Sequence, residues 1–537
     1  MRQRTTFIQK PHAPFSPTQT TLTADALTIS SLDAAREDRL IFSFDELSSE
    51  IWHVLRHLHQ LHIRWASPRQ YEAVSPFASR IAPGLNVFFS PSINGDRGDN
   101  VGHKERRGGR DLESLCTLLK KVFGDGLGCE SPEKSFITPP ILSTRFASTA
   151  AYQFYEWVPS LDSLVTYIQQ KLCSREDEEC RRRAELVLSA DSIDINYDSI
   201  SHALTVSGYW SSAPEGQEGW TETIRKHAAG TDKVEVGLLG AEVGNDPEEI
   251  KMGGLLVVVG EDKELKPTLF SFPSRHHPLP EHARYSVSFA PPTGLHPTMT
   301  ISMARSALTQ PAARPDAGCA LHAYLTLPSS VFGDKYQLST TDPLFLKSHN
   351  LVALRAVSGE TDLEAPDWSV SRWGSTWLLE LATPPESDPK STDDWNVTIP
   401  LHLRYLPPSE SGYRSASIPW PIVFWACTAE DGTKMSMNPF DRVNLGWEGL
   451  FGPKTMFYQL NPASSNKESL LVEELEVPVL ALNEKEGIFK SRVIELGTVA
   501  VIVLGFLWVL AKLGLVARSS GIRPQQRKAT DKGGKSE

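Results

Sequence analysis

Histidines are the residues of this sequence whose types and spacing come nearest to a chemical site. His53 and His57 stand four residues apart in a segment with helical periodicity. Residues at this spacing share one helix face, an arrangement that suits a metal ion. No carboxylate or cysteine completes the set near His59 and His62, and the ligands would straddle the apolar face of the helix. Ordinary surface histidines are the alternative interpretation, and we predict neither a metal site nor a cofactor.

Motifs of enzyme catalysis are absent from the sequence, which contains no GxSxG elbow, no Walker phosphate loop and no HExxH zinc motif. Gly124, Gly126 and Gly128 resemble a phosphate loop only in spacing, because they follow a predicted helix and are typical of its C-terminal turn. A glycosyltransferase that uses a nucleotide sugar would place Asp-x-Asp after a strand, whereas this sequence has Asp194 followed by Ile and Asn196. The sequence therefore predicts that the chain is not an enzyme.

Charge and cysteine content limit the function classes without selecting one. The formal net charge of −11 gives a nucleic-acid partner no general electrostatic support, and we predict none. Apolar residues make up 40% of the chain, which is enough to form a buried core. The 6 cysteines include no CxxC pair and permit many disulfide pairings, while buried free thiols remain equally open.

An uncharged apolar run near the C-terminus predicts a membrane helix. The run LGTVAVIVLGFLWVLA begins at Leu496 and holds 16 residues, and continuation past Lys512 lengthens it to 22. At ~1.5 Å per residue this helix is about 33 Å long, which spans a hydrocarbon core of about 30 Å. Lys512 stands near one end, from which its side chain can reach the head groups. We predict a transmembrane helix over residues 494–517 and a basic tail over residues 518–537.

Charges beside this helix favour one orientation. Seven lysines and arginines lie at or beyond its C-terminal end, against three in residues 476–495. This excess favours a cytosolic tail and a translocated, lumenal N-terminal part. Asn396 opens the sequon Asn-Val-Thr, so we predict that it is glycosylated. The N-terminus lacks the apolar run of a signal peptide, so a tail-anchored protein that faces the cytosol remains the alternative.

Patterning along the rest of the chain predicts a mainly β protein. Residues 1–37 are rich in Thr, Pro and Ser and are expected to form a flexible leader. Helical and alternating patterns over residues 38–260 predict an α+β domain, and residues 261–282, rich in Pro and charge, predict a linker. Short alternating runs over residues 283–460 predict a C-terminal β-sandwich, and residues 461–492 predict a linker that joins it to the membrane helix.

One run of the predicted sandwich alternates with a period of two. Its apolar positions predict a half-buried strand, and they are Val397, Ile399, Leu401, Leu403 and Tyr405. Proline cannot donate a hydrogen bond within a sheet, so Pro400 predicts an edge strand or a bulge.

Four segments of the predicted sandwich resemble the PIG-X family in order and spacing. They are LPSSVFGDKYQL (residues 327–338), DLEAP (362–366), IPLHLRYLPPSE (399–410) and PIVFWAC (421–427). Each segment alone is a weak signal, but their order, followed by one membrane helix and a short basic tail, is similar to that family. The resemblance covers about residues 275–520, and the preceding part resembles the extended fungal members.

This resemblance implies a non-catalytic accessory subunit of glycosylphosphatidylinositol (GPI) mannosyltransferase I in the membrane of the endoplasmic reticulum. A multi-pass partner would add the first mannose to the GPI precursor, and this chain would stabilise that partner. Fungal members are also linked to the folding of other lumenal proteins, so a general lumenal chaperone is the alternative function.

The family supplies no catalytic residues to carry over to this chain. The matching polar and aromatic residues are expected either to contact the partner or to shape turns and an edge strand of the sandwich. They are Asp334, Tyr336, Asp362, Glu364, Pro400, His402, Arg404 and Tyr405.

Overall fold

The structure is a computed structural model of the chain. It describes residues 1–519 apart from 11–13, 93–103, 141–150, 174–175, 227–231, 243, 245, 291–293, 364, 385–393, 436–439, 441–444, 465–469 and 483–490. The chain divides into two compact units. The first unit comprises residues 1–406 and 415–477, and the second comprises residues 407–414 and the chain from residue 478 onward.

Strands dominate the first half of the chain. In chain order they are β1 (Arg2–Gln9), β2 (Thr20–Leu22), β3 (Ala26–Leu32), β4 (Ala34–Ser43), β5 (Leu58–Ala66), β6 (Gly84–Pro91), β7 (Tyr152–Glu156), β8 (Ser192–Asp198), β9 (Ala203–Trp210), β10 (Trp220–Arg225), β11 (Lys233–Glu242), β12 (Glu249–Val258) and β13 (Lys266–Pro273). The α-helices described in this half are α1 (Ser49–Leu55), α2 (Lys104–Phe123), α3 (Pro132–Ser135), α4 (Asp162–Tyr167) and α5 (Glu178–Leu186).

Ten of these strands form one mixed sheet in the order β13-β12-β11-β1-β4-β9-β8-β5-β6-β7, which we call the N-terminal sheet. A small sheet in the order β10-β3-β2 accompanies it. Leu115 and Leu119 of α2 and Leu164 of α4 share a buried core with Val87 and Phe154 of the N-terminal sheet. Burial of each large apolar side chain contributes about 1.5–3 kcal/mol, so this core holds the helices on the sheet.

Residues 1–37 differ from the expected flexible leader. Arg2–Gln9 forms β1 inside the N-terminal sheet, parallel to β11 and antiparallel to β4. Phe7 and Ile8 are buried, and so are Thr5 and Thr6. Threonine is β-branched and suits a strand with neighbours on both sides, so the polar composition of this stretch marks a central strand rather than disorder.

The second half of the chain continues with strands. They are β14 (His276–His277), β15 (Arg284–Phe289), β16 (Thr298–Met303), β17 (Ala317–Pro328), β18 (Val331–Phe332), β19 (Leu351–Gly359), β20 (Gly374–Leu381), β21 (Trp395–Pro400), β22 (His402–Leu403), β23 (Tyr413–Pro419), β24 (Ile422–Ala429), β25 (Thr455–Gln459), β26 (Asn461–Pro462) and β27 (Val472–Pro478). The α-helices described in this half are α6 (Lys335–Leu338), α7 (Pro343–Ser348) and α8 (Ser491–Ser519).

Two sheets form the predicted sandwich. A six-stranded sheet has the order β14-β25-β24-β17-β20-β19, and a four-stranded sheet has the order β21-β16-β15-β26. Ile301 and Ile399 of the four-stranded sheet share a buried core with Leu325 and Leu379 of the six-stranded sheet. The prediction of a mainly β fold with a C-terminal sandwich is confirmed. β21 lies at the edge of its sheet and ends at Pro400, as that proline indicated.

The N-terminal sheet and the sandwich both belong to the first unit, and a buried arginine links them. The backbone N–H of Arg80 donates to Gln459 Oε1 at 2.8 Å, and Arg80 Nη2 donates to Asn461 Oδ1 at 3.1 Å. Leu471 also donates its backbone N–H to the carbonyl oxygen of Pro68 at 2.6 Å. Polar contacts of this kind fix the position of the N-terminal sheet relative to the sandwich.

The linkers expected from composition contain strands in the structure. The predicted linker over residues 261–282 includes β13 of the N-terminal sheet and β14 of the sandwich, and that over residues 461–492 includes β26 and β27. Prolines and charges in these stretches occupy short or edge strands, which tolerate both. The division of the first unit into domains over residues 38–260 and 283–460 stays a prediction.

The second unit contains a pair of short segments and a long helix. Ser409 donates its backbone N–H to the Leu480 carbonyl oxygen at 3.1 Å, and Val479 donates to Gly412 at 2.9 Å. Within α8, the 26 residues Val493–Arg518 have a mean hydropathy of 2.5, which makes this helix long and apolar enough to cross a membrane. The predicted C-terminal apolar helix is confirmed.

Candidate functional site

A short strand pair in the sandwich brings most of the predicted contact residues together. β18 and β22 pair antiparallel, so that Phe332 stands opposite His402. Arg404 follows β22 and donates its backbone N–H to the Ser330 carbonyl oxygen at 2.9 Å. Asp334 comes two residues after β18. Residues that are about 70 positions apart in the sequence therefore belong to one group, because the pairing of β18 with β22 joins them.

Arg404 lies at the centre of this group. The residue is 2% exposed, and its guanidinium carbon lies 4.2 Å from the ring centroid of Phe332. Nη1 donates to the carbonyl oxygens of Asp362 and Ala365 at 2.5 and 2.8 Å, and Nη2 donates to that of Glu360 at 3.4 Å. The loop that carries these three carbonyl groups is thereby fastened to β18 and β22.

Burial and charge act on Arg404 in opposite directions. Removal from water lowers the pKa of Arg404, whereas the nearby carboxylates of Glu360, Asp362 and Asp367 raise it. An arginine keeps its proton even when its pKa is lowered, so the group remains a cation. Hydrogen bonds that involve a charged group contribute about 1.5–3 kcal/mol, so Arg404 is a strong fastener for the loop.

His402 also contacts Phe332 in this strand pair. Its ring stacks on that of Phe332 with centroids 5.4 Å apart, and its Nδ1 lies 3.0 Å from Nδ1 of His296. Burial lowers the pKa of His402, and the neighbouring His296 lowers it further. In this hydrogen bond one Nδ1 donates and the other accepts, and the bond joins β22 to the segment that carries His296.

Asp334 shapes a turn, and Tyr336 points outward. The Asp334 carboxylate accepts hydrogen bonds from the backbone N–H groups of Tyr336 and Gln337 at 2.8 and 3.2 Å, and it thus caps the short helix α6. Such a cap contributes about 1 kcal/mol. Tyr336 is an exposed aromatic residue, so the structure leaves it available to a partner.

Four further residues were predicted to contact the partner or to shape turns and an edge strand. Asp362 contributes its carbonyl oxygen to Arg404, and Pro400 ends the edge strand β21. Tyr405 is exposed, and its carbonyl oxygen accepts from the backbone N–H of Asp367 at 3.0 Å. Glu364 lies outside the described residues.

Two exposed apolar residues of this region escaped the sequence analysis. Leu363 lies in the loop that Arg404 fastens, and Trp368 lies in a 3₁₀ turn that begins at Asp367. Asp367 also accepts a hydrogen bond from the hydroxyl of Ser329 at 2.6 Å, which fixes that turn beside β18. A tryptophan directly after the acidic run ETDLEAPD was the available signal.

Asn396 lies on the edge strand β21 with an exposed side chain. Its carbonyl oxygen accepts from Asn350 Nδ2 at 2.8 Å, and the hydroxyl of Thr398 lies 2.7 Å from His349 Nδ1. These contacts leave the Asn396 amide at the surface, where an attached glycan would have room. Its glycosylation stays a prediction.

The histidines considered as metal ligands lie on different elements. His53 belongs to α1, His57 follows that helix, and His59 and His62 belong to β5. His62 Nδ1 lies 2.8 Å from Asn196 Oδ1, a hydrogen bond between neighbouring strands. Among the described residues, no group of three or more His, Cys, Asp or Glu side chains is arranged to hold a metal ion.

All six cysteines form disulfides. Cys116 pairs with Cys129, and Cys173 pairs with Cys180, at sequence separations of 13 and 7. Cys319 and Cys427 stand directly opposite each other on β17 and β24 at a sequence separation of 108. The structure therefore contains three disulfides and not the buried free thiols that were the alternative.

Comparison with known proteins identifies one family. A model of the PIG-X / PBN1 family matches residues 292–514. Protein pbn1 of Emericella nidulans is 72% identical over 537 residues, which are 100% of both chains. Protein pbn1 of Neurospora crassa is 40% identical over 534 residues, which cover 99% of this chain and 98% of that protein. The chain belongs to the PIG-X / PBN1 family. The resemblance found in the sequence is confirmed.

The PIG-X / PBN1 match includes the sandwich features described above. Residues 292–514 contain the Arg404 group, the Cys319–Cys427 disulfide, Asn396 and most of α8. The N-terminal sheet lies before the matched residues, although the relatives align with it as well. Membership of this family supports a role in GPI-anchor biosynthesis, and neither the family nor these relatives carry the name of an enzyme.

Proposed function

We propose that this chain is a non-catalytic accessory subunit of GPI mannosyltransferase I in the membrane of the endoplasmic reticulum. It binds the multi-pass catalytic subunit, which adds the first mannose to the GPI precursor, and stabilises it. The observation that carries this proposal is the family match over residues 292–514, which contain both an exposed surface on the sandwich and a membrane helix. A protein with these two features can contact a membrane partner through its sandwich while its helix keeps it in the same bilayer.

The disulfides support a lumenal location for the first unit. Disulfides form and persist in oxidising compartments and are rare in the cytosol. The three disulfides use all six cysteines and lie in both the N-terminal sheet region and the sandwich. The excess of lysine and arginine after α8 favours the same orientation. The tail-anchored alternative would expose these cysteines to reducing conditions.

Stabilisation follows from binding. A subunit that binds only the folded catalytic partner raises its apparent stability, by about 2.7 kcal/mol when the subunit concentration is 100 times the dissociation constant. Both proteins share one bilayer, which raises their effective concentration. A modest intrinsic affinity is therefore sufficient for the chain to protect its partner.

Conditional depletion tests this function. Cells that lose the protein are followed by labelling GPI precursors in microsomes, and wild-type chain is added back as the control. The proposal predicts that the unmannosylated, glucosamine-bearing precursor accumulates while dolichol-phosphate-mannose remains normal. Continued mannosylation together with loss of many unrelated lumenal proteins would instead support the general chaperone function.

Orientation is tested in the same microsomes. The proposal predicts that the first unit is protected from added protease and that glycosidase treatment increases its mobility, with Asn396→Gln as the control that abolishes the shift. Cleavage of the first unit in intact microsomes would support the tail-anchored alternative.

A further inference from the structure

Four large apolar side chains are exposed on the three segments that Arg404 and the β18–β22 pair hold together. They are Tyr336 at 68%, Leu363 at 42%, Trp368 at 63% and Tyr405 at 66% exposure. We call these four residues the aromatic surface. Single exposed apolar residues are ordinary, but several on joined segments mark an interaction site. Tyrosine and tryptophan are also the residues that contribute most to binding energy at interfaces.

The aromatic surface is built on a fixed base. Arg404 donates to three carbonyl groups of the loop that carries Leu363. The carbonyl oxygen of Tyr405 accepts from Asp367, which directly precedes Trp368. Because these contacts hold the backbone, a partner would find the side chains already in place and would lose little entropy on binding.

The charge beside the aromatic surface is acidic. The described acidic residues of this loop and turn are Glu360, Asp362 and Asp367, and their negative charges act on the buried Arg404. The guanidinium of Arg404 lies beneath this loop and donates to its carbonyl oxygens. Arg372 approaches Glu360 at 3.7 Å, and Lys335 lies over the ring of Tyr336. The surface as a whole therefore favours a partner that presents cations beside apolar side chains.

We infer that the aromatic surface binds a basic, apolar polypeptide segment on the lumenal side of the catalytic subunit. This inference rests on the proposed function and assigns the surface through which it acts. A second copy of this chain would bring like charges together, and a membrane rich in anionic lipid would repel the carboxylates. Binding combines burial of the aromatic rings with pairing of partner cations to the acidic loop.

Copurification of the full-length tagged chain with the tagged catalytic subunit tests the inference. Trp368→Ala combined with Tyr405→Ala removes two of the three aromatic rings of this surface. The matched control is Ile200→Ala combined with Leu269→Ala, which shortens side chains that are 76% and 59% exposed, in the turn between β8 and β9 and on β13. For the variant without Trp368 and Tyr405, we expect recovery of the catalytic subunit to fall by about tenfold or more. For the control, we expect recovery within about twofold of wild type.

Folding and competing occupants are checked with the same proteins. Both variants are expected to match wild type in abundance, protease resistance and mobility without reductant. Wild-type recovery by the Trp368 and Tyr405 variant would overturn the inference. So would self-association of the purified chain, or stronger binding to phosphatidylserine vesicles than to phosphatidylcholine vesicles, if the Trp368 and Tyr405 variant abolishes it. If wild-type chain recovers no catalytic subunit and depletion leaves mannosylation intact, the proposed function fails and the inference fails with it.

Discussion

The N-terminal sheet and the sandwich each bury an arginine, and the two arginines act in different ways. In the sheet, Arg64 of β5 pairs with the carboxylate of Asp194 on the adjacent strand β8, and both residues are buried. In the sandwich, Arg404 donates to the carbonyl oxygens of a loop that also carries exposed apolar side chains. One arginine closes an ion pair inside the fold, whereas the other fastens a surface.

The two arginines therefore contribute to different properties: Arg64 contributes to the stability of the fold, and Arg404 contributes to the binding of a partner. Removal of one partner from a buried ion pair leaves an uncompensated charge, which destabilises the whole fold. The carbonyl groups that Arg404 holds belong to a surface loop, so water can replace the arginine when the loop loosens. We therefore expect substitutions in the N-terminal sheet to act on folding and substitutions around Arg404 to act mainly on the partner.

Arg64→Met should have the largest effect on stability. It leaves the Asp194 carboxylate buried without its cation, so the free energy of unfolding should fall by about 3–5 kcal/mol. Urea unfolding of the full chain in detergent, followed by tryptophan fluorescence, measures this change. Adding Asp194→Asn to Arg64→Met removes the orphan charge and should recover part of the loss. A double variant as unstable as the single one would contradict this account of the pair.

Loss of the sandwich disulfide should have the next largest effect. Cys319→Ala combined with Cys427→Ala opens a loop closed at a sequence separation of 108, and we expect a loss of about 2–4 kcal/mol. Cys173→Ala combined with Cys180→Ala opens a loop closed at a separation of only 7 and should cost less. Urea midpoints of the two variants provide the comparison. Equal losses would show that loop length does not set the contribution of these disulfides.

Buried histidines should make both regions less stable in acid. Burial lowers the pKa of His62, His277 and His322 to about 4. An unfolded histidine titrates at about 6.5, so the unfolded chain binds more protons between these values and stability falls as the pH drops through that window. His322→Phe should reduce the loss between pH 7 and pH 5 by on the order of 1–2 kcal/mol. Urea midpoints at the two pH values test this, and an unchanged difference would refute it.

Arg404→Lys should have the smallest effect on stability and a clear effect on binding. Lysine keeps the charge but lacks the planar fork, so we expect a loss of about 1 kcal/mol. The loop over residues 360–368 should be cut earlier in limited proteolysis, and recovery of the catalytic subunit should fall. Arg372→Lys is the matched control, because Arg372 is partly exposed and only approaches Glu360 at 3.7 Å. If both variants are cut at the same rate and recover the same amount of catalytic subunit, Arg404 does not have the role given to it here.

Local patterns predicted much of the fold. Period-two alternation and a proline located the edge strand β21, and an uncharged apolar run located α8. β1 was missed, because its polar residues Gln3, Thr5 and Thr6 are buried in a strand paired on both sides. The burial of a polar strand depends on neighbours that are distant in the sequence, and composition alone cannot reveal them.

The candidate site was predictable in part. Family motifs pointed to Tyr336, Arg404 and Tyr405, which the structure joins through the β18–β22 pair. They did not point to Trp368, whose place beside Tyr405 depends on a hydrogen bond between Asp367 and a residue 38 positions later. Nor could the sequence show that Arg404 would use carbonyl oxygens rather than carboxylates as its partners.

The lifetime of the catalytic subunit tests the central claim most directly. Cells that produce either wild-type chain or the variant with Trp368→Ala and Tyr405→Ala at equal abundance are compared by pulse-chase labelling of the catalytic subunit. The account predicts that the variant shortens its half-life to the value seen after depletion of the chain. A half-life equal to that with wild-type chain would contradict the claim that this surface stabilises the enzyme.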